Sequence, residues 1–260
     1  ADPMNDFSIS FEYNMQNNTE NDILQLPEKI AIEKGIQIVI CIDEFQQISD
    51  FEDSKTFQKK LRSVWQLQQH VSYCLFGSKK HLMNELFEKK NLPFYKFGDA
   101  IYLAKIETKY WIEYICKRFE NTGKHISPEL AEEICRLVDN HSSYVQQLSW
   151  LLWIRTINTA TTEQLSYALE DLLDQNNILF QSETENLSAY QMNFLKAIVD
   201  GIHTKFSSKE VISKYNLGTS ANIVRLKNAL LQKELIETNG KEIVLADPVF
   251  GVWFKKEMLY

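Results

Sequence analysis

Two adjacent carboxylates, Asp43 and Glu44, end the apolar run IQIVICI at residues 36–42, and Ser78 follows a second apolar run, VSYCLFG, at residues 71–77. A β-branched run that stops at acids reads as a buried parallel strand delivering those acids to its carboxyl edge. In open α/β sheets that edge is where ligands bind. An acid in the place of Asp43 can hold a magnesium ion through water, and a following Glu44 can orient or deprotonate an attacking water. Ser78, at the end of the neighbouring strand, can touch a transferring phosphate or the same water. Taken alone, such a pair is equally compatible with a solvated turn. The elements around it therefore decide how it is read.

Strand and helix signals alternate through the first hundred residues, as a parallel α/β sheet requires. FSISFEY (7–13) predicts a short strand. NDILQLPEKIAIEKG (21–35) predicts a helix broken near Pro27 and closed by Gly35. SKTFQKKLRSVWQLQQH (54–70) has helical periodicity, with Phe57, Leu61, Val64, Trp65 and Leu67 as its apolar stripe. HLMNELF (81–87) predicts another helix, and AIYLAKI (100–106) a third strand. From residue 107 the signals are continuously helical, with Ser127 as a cap and Pro128 at the first helical position of one segment. QSETENLS (181–188) reads as a linker. Three further helical segments and a hairpin around Asn239-Gly240 then make a winged helix-turn-helix.

The chain has 260 residues, 44% apolar and 24% charged, which suits two or three globular units. No apolar run approaches the ~20 residues that span a bilayer, and the polar start ADPMNDFS has no signal-peptide core. A cytoplasmic location without membrane contact is expected. Ala1 to Pro3, ahead of Met4, read as a cloning remnant. Cys41, Cys74, Cys116 and Cys135 form no CxxC pair and the five histidines show no ligand spacing, so four reduced core cysteines are expected in place of a zinc site or disulfides. Net charge is −7; residues 186–260 carry ten Lys and Arg against seven Asp and Glu, and the remainder therefore carries −10.

The order IVICIDEFQQI, VSYCLFGSKKHLMNELFEKKNLPFYKFGDAIYLAKI, a helical block and a terminal module ending in LADPVFGVWFKK resembles the AAA+-related, STAND-class ATPases of archaea and bacteria, over residues 7–258. The resemblance implies an AAA+-type core over 4–106, a helical lid over 107–185 and a winged helix over 186–260. It further implies Asp43 and Glu44 as the Walker B acids, Asp43 toward magnesium and Glu44 catalytic, and Ser78 at the sensor-1 position. The expected fold class is α/β plus all-α: a truncated P-loop NTPase parallel sheet, a helical lid and a C-terminal winged helix.

The sequence departs from that pattern twice. A phosphate loop of the GxxxxGK[ST] kind is missing: the Gly-Lys pairs are Gly123-Lys124 and Gly240-Lys241, with Arg118 and Leu235 where the first glycine belongs. The lid reads DNHSSYVQQL where the family often has a Gly and Pro turn, which leaves a lid role for His141 to Tyr144 unassigned. A chain lacking the N-terminal strand, loop and helix is the simplest account, and a natural relative without the loop is the alternative. The expected function is accordingly the C-terminal portion of an ATP- and magnesium-dependent regulatory ATPase that neither tightly binds nor hydrolyses ATP by itself. An unpaired sheet edge is expected to promote self-association. The alternative function is a non-catalytic regulator that contacts DNA or protein through its winged helix. There Asn222 is the candidate base reader and Arg225 and Lys227 the candidate phosphate contacts, with Ile223, Val224, Leu226, Leu230 and Leu231 facing the core. Arg155 reads as a surface arginine, and Tyr110, Trp111, Tyr114, Trp150 and Trp153 as core or interface aromatics.

Overall fold

The computed structural model describes residues 19–259, so the strand expected at FSISFEY lies outside the described residues. The chain divides into two compact units, Ala1–Tyr102 and Leu103–Tyr260.

In the first unit, α1 (Glu20–Lys34), β1 (Ile38–Ile42), a 3-10 helix (Phe45–Asp50), α2 (Ser54–Trp65), β2 (Val71–Leu75) and α3 (Lys80–Glu88) follow in order. The two strands pair in parallel, from Ile38 opposite Val71 to Ile42 opposite Leu75. Side chains alternate across a strand, and here one face, with Ile42, Tyr73 and Leu75, meets a core of Phe45, Ile48, Leu61, Val64, Trp65, Leu86 and Phe94. Trp65 stacks on Tyr73 at 4.1 Å. The other face is open among the described residues: Val39 is 66% exposed, and Cys41 and Cys74, opposite one another in register, are exposed too. The burial on both faces expected from the apolar run is therefore seen on one face only, and of the four cysteines only Cys135 is buried.

Three local expectations need correction. Helix α1 runs through Pro27 without a break, the ring costing one hydrogen bond to the carbonyl of the exposed Ile23. Gly35 does close it, in the left-handed region at φ 64°. Helix α2 ends at Trp65, which leaves Leu67 outside the apolar stripe and 74% exposed. AIYLAKI forms no strand: Ile101 and Leu103 are 85% and 94% exposed. A strand exists only where a neighbour takes its backbone groups, and no described segment pairs with this one.

The second unit is helical: α4 (Thr108–Glu120), α5 (Pro128–Leu137), α6 (Ser142–Arg155), α7 (Thr162–Glu185), α8 (Ala189–Val199), α9 (Lys209–Tyr215) and α10 (Ser220–Gln232). The antiparallel hairpin of β3 (Ile236–Asn239) and β4 (Glu242–Leu245) follows, then α11 (Pro248–Leu259). Ser127 caps α5, accepting from the backbone N–H of Leu130 at 3.2 Å, with Pro128 in the first turn. The expected linker is mostly helix, since α7 continues to Glu185 and Ser188 already caps α8. Asn239 pairs with Glu242, so the hairpin turn is Gly240-Lys241, one residue beyond its predicted place. The reading assigned no element after the hairpin, yet α11 is decisive for packing. Asp247 caps it through Oδ1, at 2.7 Å from the Val249 N–H, and Phe250 and Trp253 pack against Phe180 of α7. One continuous core thus extends from Trp111 of α4 to Phe254 of α11.

Beside that core, the half-buried Asp247 acts on Tyr144 and Glu183. Tyr144 donates to Asp247 Oδ2 at 2.5 Å, and burial together with this bond pushes the Tyr144 hydroxyl up. Burial, and then the charge of Asp247, raise the Glu183 carboxyl. A carboxyl whose folded pKa lies above its unfolded value binds more protons when folded, so its contribution to stability falls as pH rises through the folded pKa. Glu183→Gln is therefore expected to melt above the wild type at pH 7, with the difference closing near pH 4. Equal melting temperatures at pH 7 would refute this.

Candidate functional site

The carboxyl ends of β1 and β2 bring Asp43, Glu44 and Ser78 to one edge, because the register sets Ile42 beside Leu75 and each chain then leaves the sheet. Crossing bonds hold the two exits together. Phe76 N–H donates to Ile42 C=O and Phe45 N–H to Phe76 C=O, both at 3.0 Å. Glu44 takes the left-handed conformation, φ 48° and ψ 41°, which turns the chain into the 3-10 helix and aims its carboxylate at the second exit. Ser78 Oγ donates to Glu44 Oε1 at 3.0 Å, and Gln46 Nε2 donates to Glu44 Oε2. Those bonds, Gln46 first, with a further one from the Ser78 backbone, hold the Glu44 carboxyl below the usual glutamate range. Asp43 is exposed, and its Oδ1 accepts from the Glu44 N–H at 2.8 Å.

Gln46 is the residue that sequence reasoning missed. It is 2% exposed, and its Oε1 has no hydrogen-bond partner among the described residues. That oxygen sits against Gly77: a Cβ there would stand 1.9 Å from it. The absence of a side chain at 77 is thus what admits the amide that grips Glu44. The sequence carries no local signal for it, because Gln46 and the exposed Gln47 are adjacent and alike and only the contact across to Gly77 distinguishes them.

Magnesium suits this edge in a limited sense. Among the described residues no three His, Cys, Asp or Glu side chains gather to hold a metal. Magnesium usually keeps several waters and takes one or two carboxylates, and the exposed Asp43 can supply one. A triphosphate does not fit the residues present in the same way, because no glycine-rich loop of this chain offers it backbone amides.

Comparison with known proteins places the architecture. A Walker-type ATPase of Pyrococcus abyssi superposes with a TM-score of 0.70 at 16% identity, over 94% of this chain and 72% of that one. The fold is similar to that of this Walker-type ATPase. The Aeropyrum pernix ORC2 protein also aligns, with a TM-score of 0.47 and 13% identity over 96% of this chain and 73% of that chain. So does the Thermotoga maritima RuvB Holliday junction branch migration motor, at 0.43 and 13% over 94% and 76%. A family model described as a probable winged helix domain matches residues 178–256. No curated protein matches the chain.

The other candidate residues belong to the second unit. Arg155 forks Asp171, with Nε and Nη2 at 2.8 and 2.7 Å, which accounts for its position on α6. Of the aromatic group only Trp111 is buried, while Lys109, Arg118 and Lys124 lie over the rings of Tyr110, Tyr114 and Trp153. His141 and Tyr144 pack ring against ring at 4.8 Å. On the winged helix, Asn222 Nδ2 donates to the Leu217 carbonyl at 3.0 Å, so its amide already has a local partner. Arg225 is exposed and Lys227 half-buried. Val224 is 62% exposed, not core, whereas Ile223, Leu226 and Leu230 are buried as expected. Lys205, Lys227 and Lys241 line a cavity of about 410 Å³ between α10 and the hairpin. No helix among the described residues is long and apolar enough to cross a membrane.

Proposed function

We propose that this chain carries the water-activating half of an ATP-dependent regulatory site of the STAND type, cytoplasmic in location, and that it does not retain ATP by itself. The observation that carries the reading is the hydrogen bond from Ser78 to Glu44 across the ends of two parallel strands, beside Asp43. Asp43 acts as a carboxylate acceptor for water on a magnesium ion; the ion, when bound, would offset phosphate charge. Glu44 is held ionised by its donors, which makes it a weak proton acceptor but a well-aimed hydrogen-bond acceptor for water. Ser78 keeps that carboxylate facing the edge. ATP would have to be gripped by a phosphate loop joined to this chain or placed beside it. The outer face of β1 and β2, open among the described residues, supports self-association at high concentration as part of the same reading. A second reading, supported by the basic cavity on the winged helix, gives that module a weak contact with DNA or protein.

Calorimetry with ATP and magnesium tests the first reading. The chain alone is expected to show no micromolar binding. Once a phosphate-loop segment is joined to it, Asp43→Ala should abolish magnesium-dependent binding, and Glu44→Gln should leave binding intact while slowing turnover by about 10²-fold or more. Tight binding by the chain alone, or equal loss of binding in both variants, would overturn it.

A further inference from the structure

Helix α2 carries Lys55, Lys59 and Arg62 at helical spacing, with Gln66 as its C-cap residue on the same face. The loop after α3 adds Lys90 and Asn91 opposite that face, and the two enclose a groove of about 600 Å³. The cations in it are unusual for this unit. Lys29 and Lys34 face Asp22 and Glu33, Lys60 and Lys89 pair with Glu20 and Glu85, Lys79 lies beside Glu44, and Lys96 lies over the Tyr95 ring. Lys55, Lys59 and Lys90 make no ion pair among the described residues, and all three are exposed in the same groove. Arg62 adds a fourth charge without a carboxylate partner, since its Nη1 donates to the carbonyls of Pro93 and Tyr95. In a chain of net charge −7, four uncompensated cations along one groove repel each other and attract a polyanion.

We propose that this groove binds the phosphate backbone of duplex DNA. Three features of its chemistry choose that partner. No aromatic side chain lines it, so it lacks the stacking platforms on which single strands lay their bases. Arg62 Nη1 is taken by two backbone carbonyls, and the exposed cations are three lysines, point charges without the planar fork that matches the carboxylates of an acidic peptide. What remains is lysine point charges with Gln66 and Asn91 as neutral donors, the set that contacts phosphates without reading sequence. From Lys55 to its end at Trp65 the helix advances about 15 Å, enough to follow several phosphates of one strand.

The test is fluorescence anisotropy of the full chain with a labelled random-sequence duplex across a salt series. About three released counterions predict a log–log salt slope near −2.7 and affinity in the non-specific range of about 10⁻⁴ to 10⁻⁶ M. The triple variant Lys55→Glu, Lys59→Glu, Lys90→Glu should weaken binding at least ~10-fold at low salt and flatten the slope to near zero. Its control, Lys29→Glu, Lys34→Glu, Lys96→Glu, changes the net charge equally and should keep both within ~2-fold of wild type. All six positions are exposed, and matching circular dichroism spectra will confirm that both variants fold. Equal loss in the two variants would reduce the effect to net charge and overturn the proposal. So would loss only in Lys205→Glu, Lys227→Glu, Lys241→Glu, which would move the contact to the winged helix, and so would stronger competition by polyglutamate or single-stranded DNA than by duplex.

Discussion

Trp253→Ala is expected to lower the unfolding free energy of the second unit by about 3–5 kcal/mol, the usual cost of deleting a large aromatic from a tight core. Trp253 is 2% exposed. Its ring packs 5.6 Å from Phe180 and 5.7 Å from Phe250, and its indole N–H donates to Asn177 Oδ1 at 2.8 Å. The neighbours that would have to close the cavity are themselves fully buried aromatics held by α7 and α11, so collapse is restricted. The second half of the prediction concerns cooperativity. Because α7 contributes to the helices before it and to the winged helix after it, one core serves both. Urea unfolding followed by far-UV circular dichroism should therefore stay a single transition with a lowered midpoint, and amide exchange should accelerate in α4 and α10 alike. Met258→Ala on the same helix, 41% exposed, should shift stability by less than about 0.5 kcal/mol. Two separated transitions, with α4 to α6 keeping wild-type protection, would show that the winged helix unfolds on its own.

Legibility followed the length scale of the forces involved. Caps and periodicity are local, and they placed Ser127, Pro128, Gly35, α4 to α6 and α8 to α10 with errors of a few residues. The pairing of β1 with β2, and with it the gathering of Asp43, Glu44 and Ser78, was also legible, because apolar runs that end in polar residues align their ends when they pair in parallel. What was illegible depended on the presence of a neighbour. AIYLAKI has strand composition but no described partner, and Cys41 and Cys74 have core composition but face outward for want of a covering layer among the described residues. The polar string at 181–185 hid a helix because one buried face, with Phe180 and Thr184, suffices to hold α7. Helix α11 was missed because no element was assigned beyond the hairpin; its Gly251 lies so close to Leu245 that a Cβ would stand 2.7 Å from it. At the acid edge the sequence displayed the acids and the serine and concealed the grip on them, since Gln46 and Gly77 matter through one contact across 31 residues.

That contact can be measured. Gly77→Ala puts a methyl group 1.9 Å from Gln46 Oε1 and 3.3 Å from Met83 Sδ, far inside ordinary contact. Gln46 cannot swing into solvent without leaving a buried site and releasing Glu44, so overpacking should cost about 1–3 kcal/mol. Gln46→Ala removes the obstacle at the expense of a small cavity and one donor to Glu44. The two substitutions share a single contact, and the double variant should be more stable than the sum of the singles by about 1–2 kcal/mol. A carboxylate readout separates gripping from mere space-filling. Gln46 is the first cause of the lowered Glu44 pKa, with Ser78 second. In Gln46→Ala the Glu44 carboxyl should therefore titrate at higher pH than in the wild type, and in Gly77→Ala it should move the same way because the amide is displaced. A group with a depressed folded pKa stabilises the fold above its unfolded pKa and loses that contribution as pH falls through the folded value. The wild type should accordingly lose stability more steeply in acid than Gln46→Ala does. Carbon-13 NMR titration of the Glu44 carboxyl, with urea melts from pH 3 to 7, supplies both measurements. Additive stabilities together with an unmoved Glu44 titration would show that Gln46 fills space beside Gly77 without holding the acid.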